Sequence, residues 1–183
     1  MIVRFDDVCQ NSDMELHHQM TDWLFEKFPD CEVIWAISPL VHSGEKQSQR
    51  VFPKIWNAYS DYLIHCNLND MGVPEIHPKV KIATHGLIHC DHRLLTKEAQ
   101  ELSILLSLSL IGQGSKCGRR IFVPPFNKWN KNTEEICEKH GIELIKFEWG
   151  WKSLEFNKRV GGDLRWYLHA REWTFETFKK WFE

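Results

Sequence analysis

The stretch that decides the fold class is the first strand, which reads IVRF over residues 2–5 and ends at Asp6 and Asp7. Similar short, apolar, β-branched runs at 33–37, 80–84, 120–123, 143–147 and 165–168 predict further strands. Apolar residues at helical spacing predict helices at 14–28, 96–111, 132–140 and 174–182, with 55–66 a weaker candidate and 43–50 and 67–78 as loops. This alternation is typical of an α/β domain with a mostly parallel sheet, either open or closed into a barrel.

Length and charge narrow the classes of function. A chain of 183 residues can bury its own core, so residues 1–183 are expected to form a single domain. With 23 Lys and Arg against 25 Asp and Glu, the net charge of −2 argues against nucleic acid or an anionic membrane as a partner. The nine tryptophans supply flat aromatic surface that suits either a core or sugar rings.

Targeting signals and cysteines bear on the compartment. The sequence does not open with a basic segment followed by an apolar run, and it contains no apolar run of 18 residues, so neither a signal peptide nor a transmembrane segment is predicted. The six cysteines form no Cys-x-x-Cys pair, which favours free thiols over a disulfide framework. We therefore expect a cytoplasmic protein.

Polar residues follow the carboxyl ends of four predicted strands, at Asp6–Asp7, His85–His89, Phe126–Asn127 and His169. In parallel α/β folds these strand ends meet at one edge, where sites are built. The four segments are therefore expected to form one site.

Asp7, His85 and His89 are the candidate metal ligands. Two histidines four residues apart on a helical turn point the same way and can share one cation, and neutral imidazole suits Zn²⁺. A carboxylate beside them would complete a site with open positions, which is the mark of a catalytic metal. Taken singly, these residues have plainer explanations as surface or core histidines and as a loop or capping acid. His92 is open to three roles: a further ligand, a residue behind the ligands, or a substrate-facing side chain.

The Pro124–Pro125 pair directs attention to the next backbone amide. Neither proline has an N–H group, so the first free amide after them belongs to Phe126. A rigid turn that aims one N–H suits an oxyanion donor, and an ordinary strand-ending turn is the alternative.

Two late segments are also candidates. His169 suits a general acid because the ordinary pKa of histidine lies near neutrality, and Arg171 or Glu172 could orient or tune it; a structural histidine is the alternative. Trp149 and Trp151 suit either the wall of a sugar groove or the core.

In their order along the chain, these motifs resemble those of the polysaccharide deacetylases, the NodB-homology or carbohydrate esterase 4 group. The family's Thr-Phe-Asp-Asp-Gly is RFDDV at 4–8 here, and its His-x-x-x-His is HGLIH at 85–89. Its Arg-x-Pro-aromatic-Gly is VPPFN at 123–127, and its late Leu-His is LH at 168–169. The resemblance spans about residues 2–169 and implies an α/β fold of the deformed (β/α) barrel type with mostly parallel strands.

The resemblance also implies an activity, namely metal-dependent removal of an acetyl group from an N-acetylated sugar or a surface-polysaccharide precursor. It makes Asp7, His85 and His89 the ligands of one divalent metal, with zinc the first choice. It makes Asp6 the general base acting on a metal-bound water, and His169 the acid that protonates the leaving group. The Phe126 N–H becomes the oxyanion donor and Leu168 a wall of the acetyl pocket, and the other expected substrate-binding residues are Pro125, Asn127, Trp149, His92 and Arg171.

The sequence departs from the family's pattern in several respects. Val123 stands where the family has an arginine that buttresses the base aspartate, and Arg4, Arg165 or Arg171 could take its place. Only Glu148–Trp149 loosely matches the fourth motif, an Asp with a Trp. The chain is short for the family, and in this it looks most like the O-antigen-cluster branch, the WbmS type. Two alternatives stay open: a degenerate domain that binds a saccharide or a partner, and a hydrolase of a non-sugar amide.

Overall fold

The structure is a computed structural model, and it describes residues 1–9, 12–39, 77–112, 119–146, 152–153 and 165–182. The predicted loop at 43–50, the candidate helix at 55–66 and the tryptophans Trp149 and Trp151 lie outside these residues. The predicted loop at 67–78 also lies outside them up to residue 76, as does residue 147 at the end of the predicted strand 143–147.

Seven strands within these ranges form one sheet, and every pairing between neighbours is parallel. They are β1 (Ile2–Val8), β2 (Glu32–Ile37), β3 (Lys81–Thr84), β4 (Ile121–Phe122), β5 (Glu143–Leu144), β6 (Lys152–Ser153) and β7 (Arg165–Leu168). Their order is β5-β4-β3-β2-β1-β7-β6, so β1 pairs with β2 on one side and β7 on the other. The sheet curls into a half-barrel flanked by helices, which confirms the deformed (β/α) barrel.

The helices begin and end close to their predicted positions. They are α1 (Met14–Lys27), α2 (Lys97–Leu110), α3 (Lys131–Lys139) and α4 (Phe175–Phe182). Asp13 caps α1 by accepting a hydrogen bond from the Leu16 N–H, Thr96 caps α2, and Gly141 follows α3 with a left-handed φ of 60°. None of the described helices is long and apolar enough to cross a membrane.

Four strands differ from the sequence-based prediction. β1 continues through Asp6 and Asp7 to Val8, whereas the prediction ended it at residue 5. β4 ends at Phe122 because Pro124 and Pro125 turn the chain and have no N–H to extend a ladder. β5 covers only Glu143–Leu144, whereas the prediction ran to residue 147. β6 was missed, since two residues are too few to carry an alternating pattern.

Alternation along the strands separates an outer core from an inner core. The outer core packs Phe5 and Trp166 against the apolar faces of α1 and α4. The inner core lies on the opposite face of the sheet, with Ile2 packed against it, and contains Ile34, Ala36, Ala83, Ile121, Val123 and Ile145. Because side chains two residues apart on a strand share a face, Arg4 and Asp6 point to the same side as Ile2.

Candidate functional site

Asp7 has an unusual backbone conformation at the end of β1. Its φ is 59°, in the left-handed region that few residues other than glycine adopt. Asp and Asn are the non-glycine residues that adopt this region most readily. The register between β1 and β2 also shifts between Phe5 and Val8. Regular alternation would send the side chains of Asp6 and Asp7 to opposite faces of the sheet. The left-handed turn breaks this alternation, and the Asp7 carboxylate reaches the histidines that follow β3.

Three ligand atoms converge at this point. The Nε2 atoms of His85 and His89 lie 3.3 Å and 3.1 Å from Oδ1 of Asp7. On its other side, the His85 ring contacts the carbonyl oxygen of Val123 through Nδ1 at 2.8 Å. A carbonyl oxygen only accepts, so Nδ1 carries the proton and Nε2 presents a lone pair to the carboxylate. Two acceptors therefore face each other across about a hydrogen-bond length.

This arrangement fits a metal ion. Among the described residues, the buried Oδ1 atom of Asp7 has no hydrogen-bond partner, and the ligand atoms of Asp7, His85 and His89 lie within 4.8 Å of one another. Zinc binds imidazole nitrogen and carboxylate oxygen at about 2.0–2.2 Å, which puts two ligands of a tetrahedral ion about 3.3 Å apart. The distances from Asp7 match that spacing, and the Val123 carbonyl supplies the kind of outer contact that orients a ligating histidine.

The electrostatics of Asp7 and His89 favour the protonation states that metal binding requires. Burial alone would raise the pKa of Asp7, but the three histidines around it, His85, His89 and His169, lower it below its ordinary value. Burial, aided by repulsion from His85, lowers the pKa of His89 to about 4. An ionised carboxylate beside neutral imidazole at pH 7 is the state that a cation binds.

The His85–His89 segment is an irregular loop, so the expectation of a helical turn is wrong. Gly86 has a φ of 81°, and its N–H donates a hydrogen bond to the Thr84 hydroxyl. The N–H of the next residue, Leu87, donates to the Ser103 hydroxyl of α2. These contacts satisfy the backbone without a helix and bring the two histidine rings to 5.1 Å between centroids.

His92 supports this loop from behind. It is fully buried, its Nδ1 lies 3.1 Å from the Cys90 carbonyl oxygen, and its Nε2 lies 3.2 Å from the Ser103 hydroxyl. With both ring nitrogens engaged, His92 takes the second of the three roles open to it, and the expected contact with substrate is not made. Cys90 is a buried free thiol whose pKa burial raises to about 12, so it is unsuited to act as a nucleophile.

Asp6 is held by an arginine of its own strand. Nε of Arg4 lies 2.6 Å from Asp6 Oδ1 and Nη2 lies 2.7 Å from Oδ2, which makes a bidentate pair. The same Nη2 donates to Oδ1 of Asn127 at 2.8 Å. Arg4, one of the three arginines that could compensate for Val123, makes this bidentate contact with Asp6.

His169 and Arg171 approach Asp7 from β7 and the turn after it. Nε2 of His169 lies 3.7 Å from Asp7 Oδ2, and Nη2 of Arg171 lies 3.4 Å from the same oxygen. Both side chains are partly open to solvent, at 30% and 54% exposed. The structure therefore brings the two predicted residues to the oxygen of Asp7 that does not face the histidine pair. Arg165 pairs with Ile2 at the other end of β7.

The turn after β4 reaches the same edge. Phe126 and Asn127 both adopt left-handed backbone, with φ of 57° and 53°, after the buried Pro125. The Phe126 ring is exposed and lies 4.3 Å from the His89 ring, centroid to centroid. Two consecutive left-handed residues cost conformational energy, and such strain is characteristic of functional turns.

One predicted site residue lies elsewhere, and others were missed. Leu168 is fully buried in the outer core opposite Phe5, so it does not line the site as expected. Ser103 and Ser107, which interrupt the apolar pattern of α2, are buried against the loop and β3. Their spacing of four residues on an otherwise apolar face was the available signal.

Known proteins resemble this chain in structure and not in sequence. No protein-family model matches the sequence, and no curated protein matches it. A CE4 (carbohydrate esterase 4) family pseudoenzyme from Bacillus anthracis matches with a TM-score of 0.55 at 11% identity, over 98% of this chain and 57% of that one. A mutant of that pseudoenzyme with restored enzymatic activity matches equally well, with a TM-score of 0.56 at 12% identity over 98% of this chain and 58% of the mutant.

Two further solved structures match over more of their own length. A family 4 carbohydrate esterase from Streptomyces lividans, solved with acetate, gives a TM-score of 0.54 at 14% identity, over 98% of this chain and 82% of that one. The peptidoglycan deacetylase PdaC from Bacillus subtilis gives 0.52 at 17% identity, over 93% and 74%. This chain spans little more than half of the pseudoenzyme, and at these identities the likeness establishes that it has the fold of CE4 deacetylases.

Proposed function

We propose that the protein is a metal-dependent hydrolase that removes an acetyl group from an N-acetylated sugar or a surface-polysaccharide precursor. The observation that carries the proposal is the buried Oδ1 of Asp7, which faces the Nε2 atoms of His85 and His89 at metal-ligand spacing. A second carboxylate, Asp6, precedes it on the same strand end and a histidine, His169, lies beside it. Acid, base and cation ligands at one edge of a barrel suit hydrolysis of an acyl bond.

We assign each side chain one role in the reaction. Asp7 and the two histidines would hold a divalent cation, with zinc our first choice, and that cation would supply Lewis-acid chemistry at the acyl carbonyl and at water. Asp6 accepts the proton of the attacking water, for which its oxygens keep lone pairs beyond those that Arg4 engages. His169 donates a proton to the leaving amine, and the N–H of Phe126 donates to the developing oxyanion.

Support for a saccharide substrate comes from the structural neighbours and from the rim of the site. Of the structural neighbours, one is named a carbohydrate esterase and another a peptidoglycan deacetylase. Exposed Phe126 beside His89 offers a flat apolar surface of the kind that packs on a sugar ring. A precursor of a surface polysaccharide is the substrate that the resemblance to the O-antigen branch implies.

A second candidate is a domain of this fold that binds a saccharide without catalysis. It is favoured by the likeness to a pseudoenzyme and by Val123 at the position of the family's arginine. The Arg4–Asp6 pair favours catalysis, because a domain that only binds a saccharide does not require a general base held beside cation ligands. A third candidate, a hydrolase of a non-sugar amide, differs from the deacetylase and from the binding domain in the substrates that it would turn over.

The first experiment is elemental analysis of the purified protein after dialysis and reloading with Zn²⁺. We expect about one zinc per wild-type chain, none in Asp7→Ala, and full zinc in Asp30→Ala, which removes an exposed carboxylate from the turn after α1. Acetate release from N-acetylglucosamine oligomers then separates the candidates from one another. Acetate release from the oligomers by wild type, lost in Asp7→Ala, supports the proposal. A wild-type protein that binds zinc but releases acetate from neither sugars nor simple acetamides supports the binding domain. Release from acetamides alone supports the amide hydrolase.

A further inference from the structure

We infer that Arg4 is the positioning residue for Asp6, and that it does from β1 what an arginine at residue 123 would do from the end of β4. The inference rests on the proposed function, because it assigns Arg4 a role in a reaction that uses Asp6 as base. It goes further by naming which side chain holds that base and by linking three departures from the family's motifs to one arrangement.

The geometry of the pair is that of a clamp. Nε and Nη2 of Arg4 each donate to a different oxygen of Asp6, at 2.6 Å and 2.7 Å. Bidentate contact fixes the plane of the carboxylate as well as its position, which a single donor does not do. The guanidinium also lies 5.2 Å from the ring centroid of Tyr167 on β7, and Arg4 is completely buried. The guanidinium of Arg4 is therefore fixed by the Asp6 carboxylate and by the Tyr167 ring.

A third contact ties the clamp to the turn after β4. Nη2 of Arg4 also donates to Oδ1 of Asn127 at 2.8 Å, next to Phe126. One guanidinium thus joins the end of β1, which carries the proposed base, to the turn that carries the proposed oxyanion donor. Since catalysis depends on the spacing of such groups, this bridge sets a distance that matters to the reaction.

The arginine has been relocated within one interior. The family's motifs place a threonine at residue 4, an arginine at 123 and a glycine at 127, where this chain has Arg4, Val123 and Asn127. Val123 packs in the inner core with Ile2, on the face to which Arg4 also points. The positive charge therefore enters the same interior from β1 instead of from the end of β4, and Asn127 tolerates the left-handed φ of 53° while adding an acceptor for it.

A purely structural ion pair is the competing explanation, and a relocation experiment separates the two. The variants are Arg4→Met, Arg4→Lys and the double variant Arg4→Thr/Val123→Arg, with Arg119→Met as the control because Arg119 pairs with Glu143 on the surface. Each variant is measured for zinc content, thermal unfolding, and kcat and KM for acetate release from N-acetylglucosamine tetramer. The Co²⁺-substituted protein is measured by visible absorption, a readout that does not depend on turnover.

We expect Arg4→Met to keep one zinc per chain and to lose about 100-fold in kcat with KM nearly unchanged, the scale of a catalytic group misplaced by about 1 Å. Its Co²⁺ spectrum should change because the freed carboxylate can turn toward the ion. Arg4→Lys should remain impaired, since an ammonium cannot form the fork, and the double variant should recover at least about a tenth of the wild-type kcat. Arg119→Met should behave as wild type.

The outcomes that overturn the inference differ from those that overturn the proposed function. Full kcat and an unchanged Co²⁺ spectrum in Arg4→Met, with zinc bound, mean that Arg4 positions nothing. If Arg4→Met does not fold, failure of the folded double variant to regain activity above that of Arg4→Lys likewise overturns the inference. A wild-type protein that binds no zinc and releases no acetate overturns the proposed function itself, and the role of Arg4 falls with it.

Discussion

Nδ1 of His85 lies 2.8 Å from the carbonyl oxygen of Val123, and this contact decides which nitrogen of the ring faces Asp7. The carbonyl can only accept, so the neutral ring must carry its proton on Nδ1. The residue before the Pro124–Pro125 turn thus orients a candidate ligand that follows a different strand. Outer contacts of this kind fix the tautomer and orientation of ligating histidines.

The first prediction concerns that tautomer. In metal-free protein labelled with ¹⁵N-histidine, the two ring nitrogens of His85 should give the chemical shifts of the Nδ1–H form at pH 7.5. Added Zn²⁺ should move the Nε2 resonance and leave Nδ1 protonated. His140, whose Nε2 contacts Glu101 on the surface, is the internal control and should not respond to zinc. An Nε2–H tautomer for His85 would contradict this orientation of the ring.

The second prediction separates two glycines with left-handed backbone. A Cβ added at Gly86 would lie 2.6 Å from Cε1 of His92 and 3.1 Å from the Ile88 carbonyl oxygen, whereas one added at Gly112 would meet no atom of the described residues within 4 Å. Gly112→Ala should cost only the backbone strain, about 1–2 kcal/mol of unfolding free energy. Gly86→Ala should cost at least about 1–3 kcal/mol more because His92 must move.

Guanidinium denaturation measures both costs, and zinc titration shows where they act. Because Gly86 shapes the loop between β3 and the ligands, its alanine variant should also bind zinc more weakly, whereas Gly112→Ala should bind as wild type. Equal losses of stability in the two variants would mean that the close approach of His92 to Gly86 contributes nothing.

The third prediction is a pH dependence of stability in the metal-free protein. Burial lowers the pKa of His92 to about 4, while in the unfolded chain it takes its ordinary value of 6.5. Below pH 6.5 His92 therefore binds a proton in the unfolded state but stays neutral in the folded state. The free energy of unfolding decreases as the pH falls. The loss should reach about 3 kcal/mol near pH 4 and then level off.

Denaturation in the presence of a chelator, from pH 8 to pH 4, tests this slope. His92→Gln should be less stable than wild type at pH 8 but should lose less stability on acidification. His89, whose pKa is also lowered to about 4, adds a similar contribution that bound zinc should alter. Identical slopes for wild type and His92→Gln would contradict the assignment of a neutral, buried ring.

The barrel was predictable because its strands begin and end at recognisable residues. The apolar runs predicted six of the seven described strands, and β6 escaped because two residues carry no pattern. The convergence of Asp7, His85 and His89 was predictable from their places at the carboxyl ends of β1 and β3, since parallel strands end at one edge. Their local backbone was not predictable, because Gly86 and the contacts from α2 replace the helical turn.

The arginine beside Asp6 shows what the sequence leaves undecided. Arg4 precedes Asp6 by two residues on one strand, and this spacing already places both on the same face. Arg171 also reaches the site, at 3.4 Å from Asp7, so charge and proximity alone did not choose between them. The choice depended on how β1 packs against the turn that carries Asn127, which is a tertiary property.

The last prediction compares two serines of α2. The Ser103 hydroxyl accepts from the Leu87 N–H at 3.1 Å and lies 3.2 Å from Nε2 of His92, to which it donates, while Ser109 is exposed. Ser103→Ala leaves a buried N–H without a partner and should cost about 1–3 kcal/mol of unfolding free energy. It should also weaken zinc binding about 10-fold, the scale of lost outer contacts at metal sites. Ser109→Ala should be neutral or slightly stabilising, because alanine has the higher helix propensity. Denaturation and zinc titration of the pair decide the matter: if Ser103→Ala weakens folding but not zinc binding, α2 holds the loop without setting the ligands.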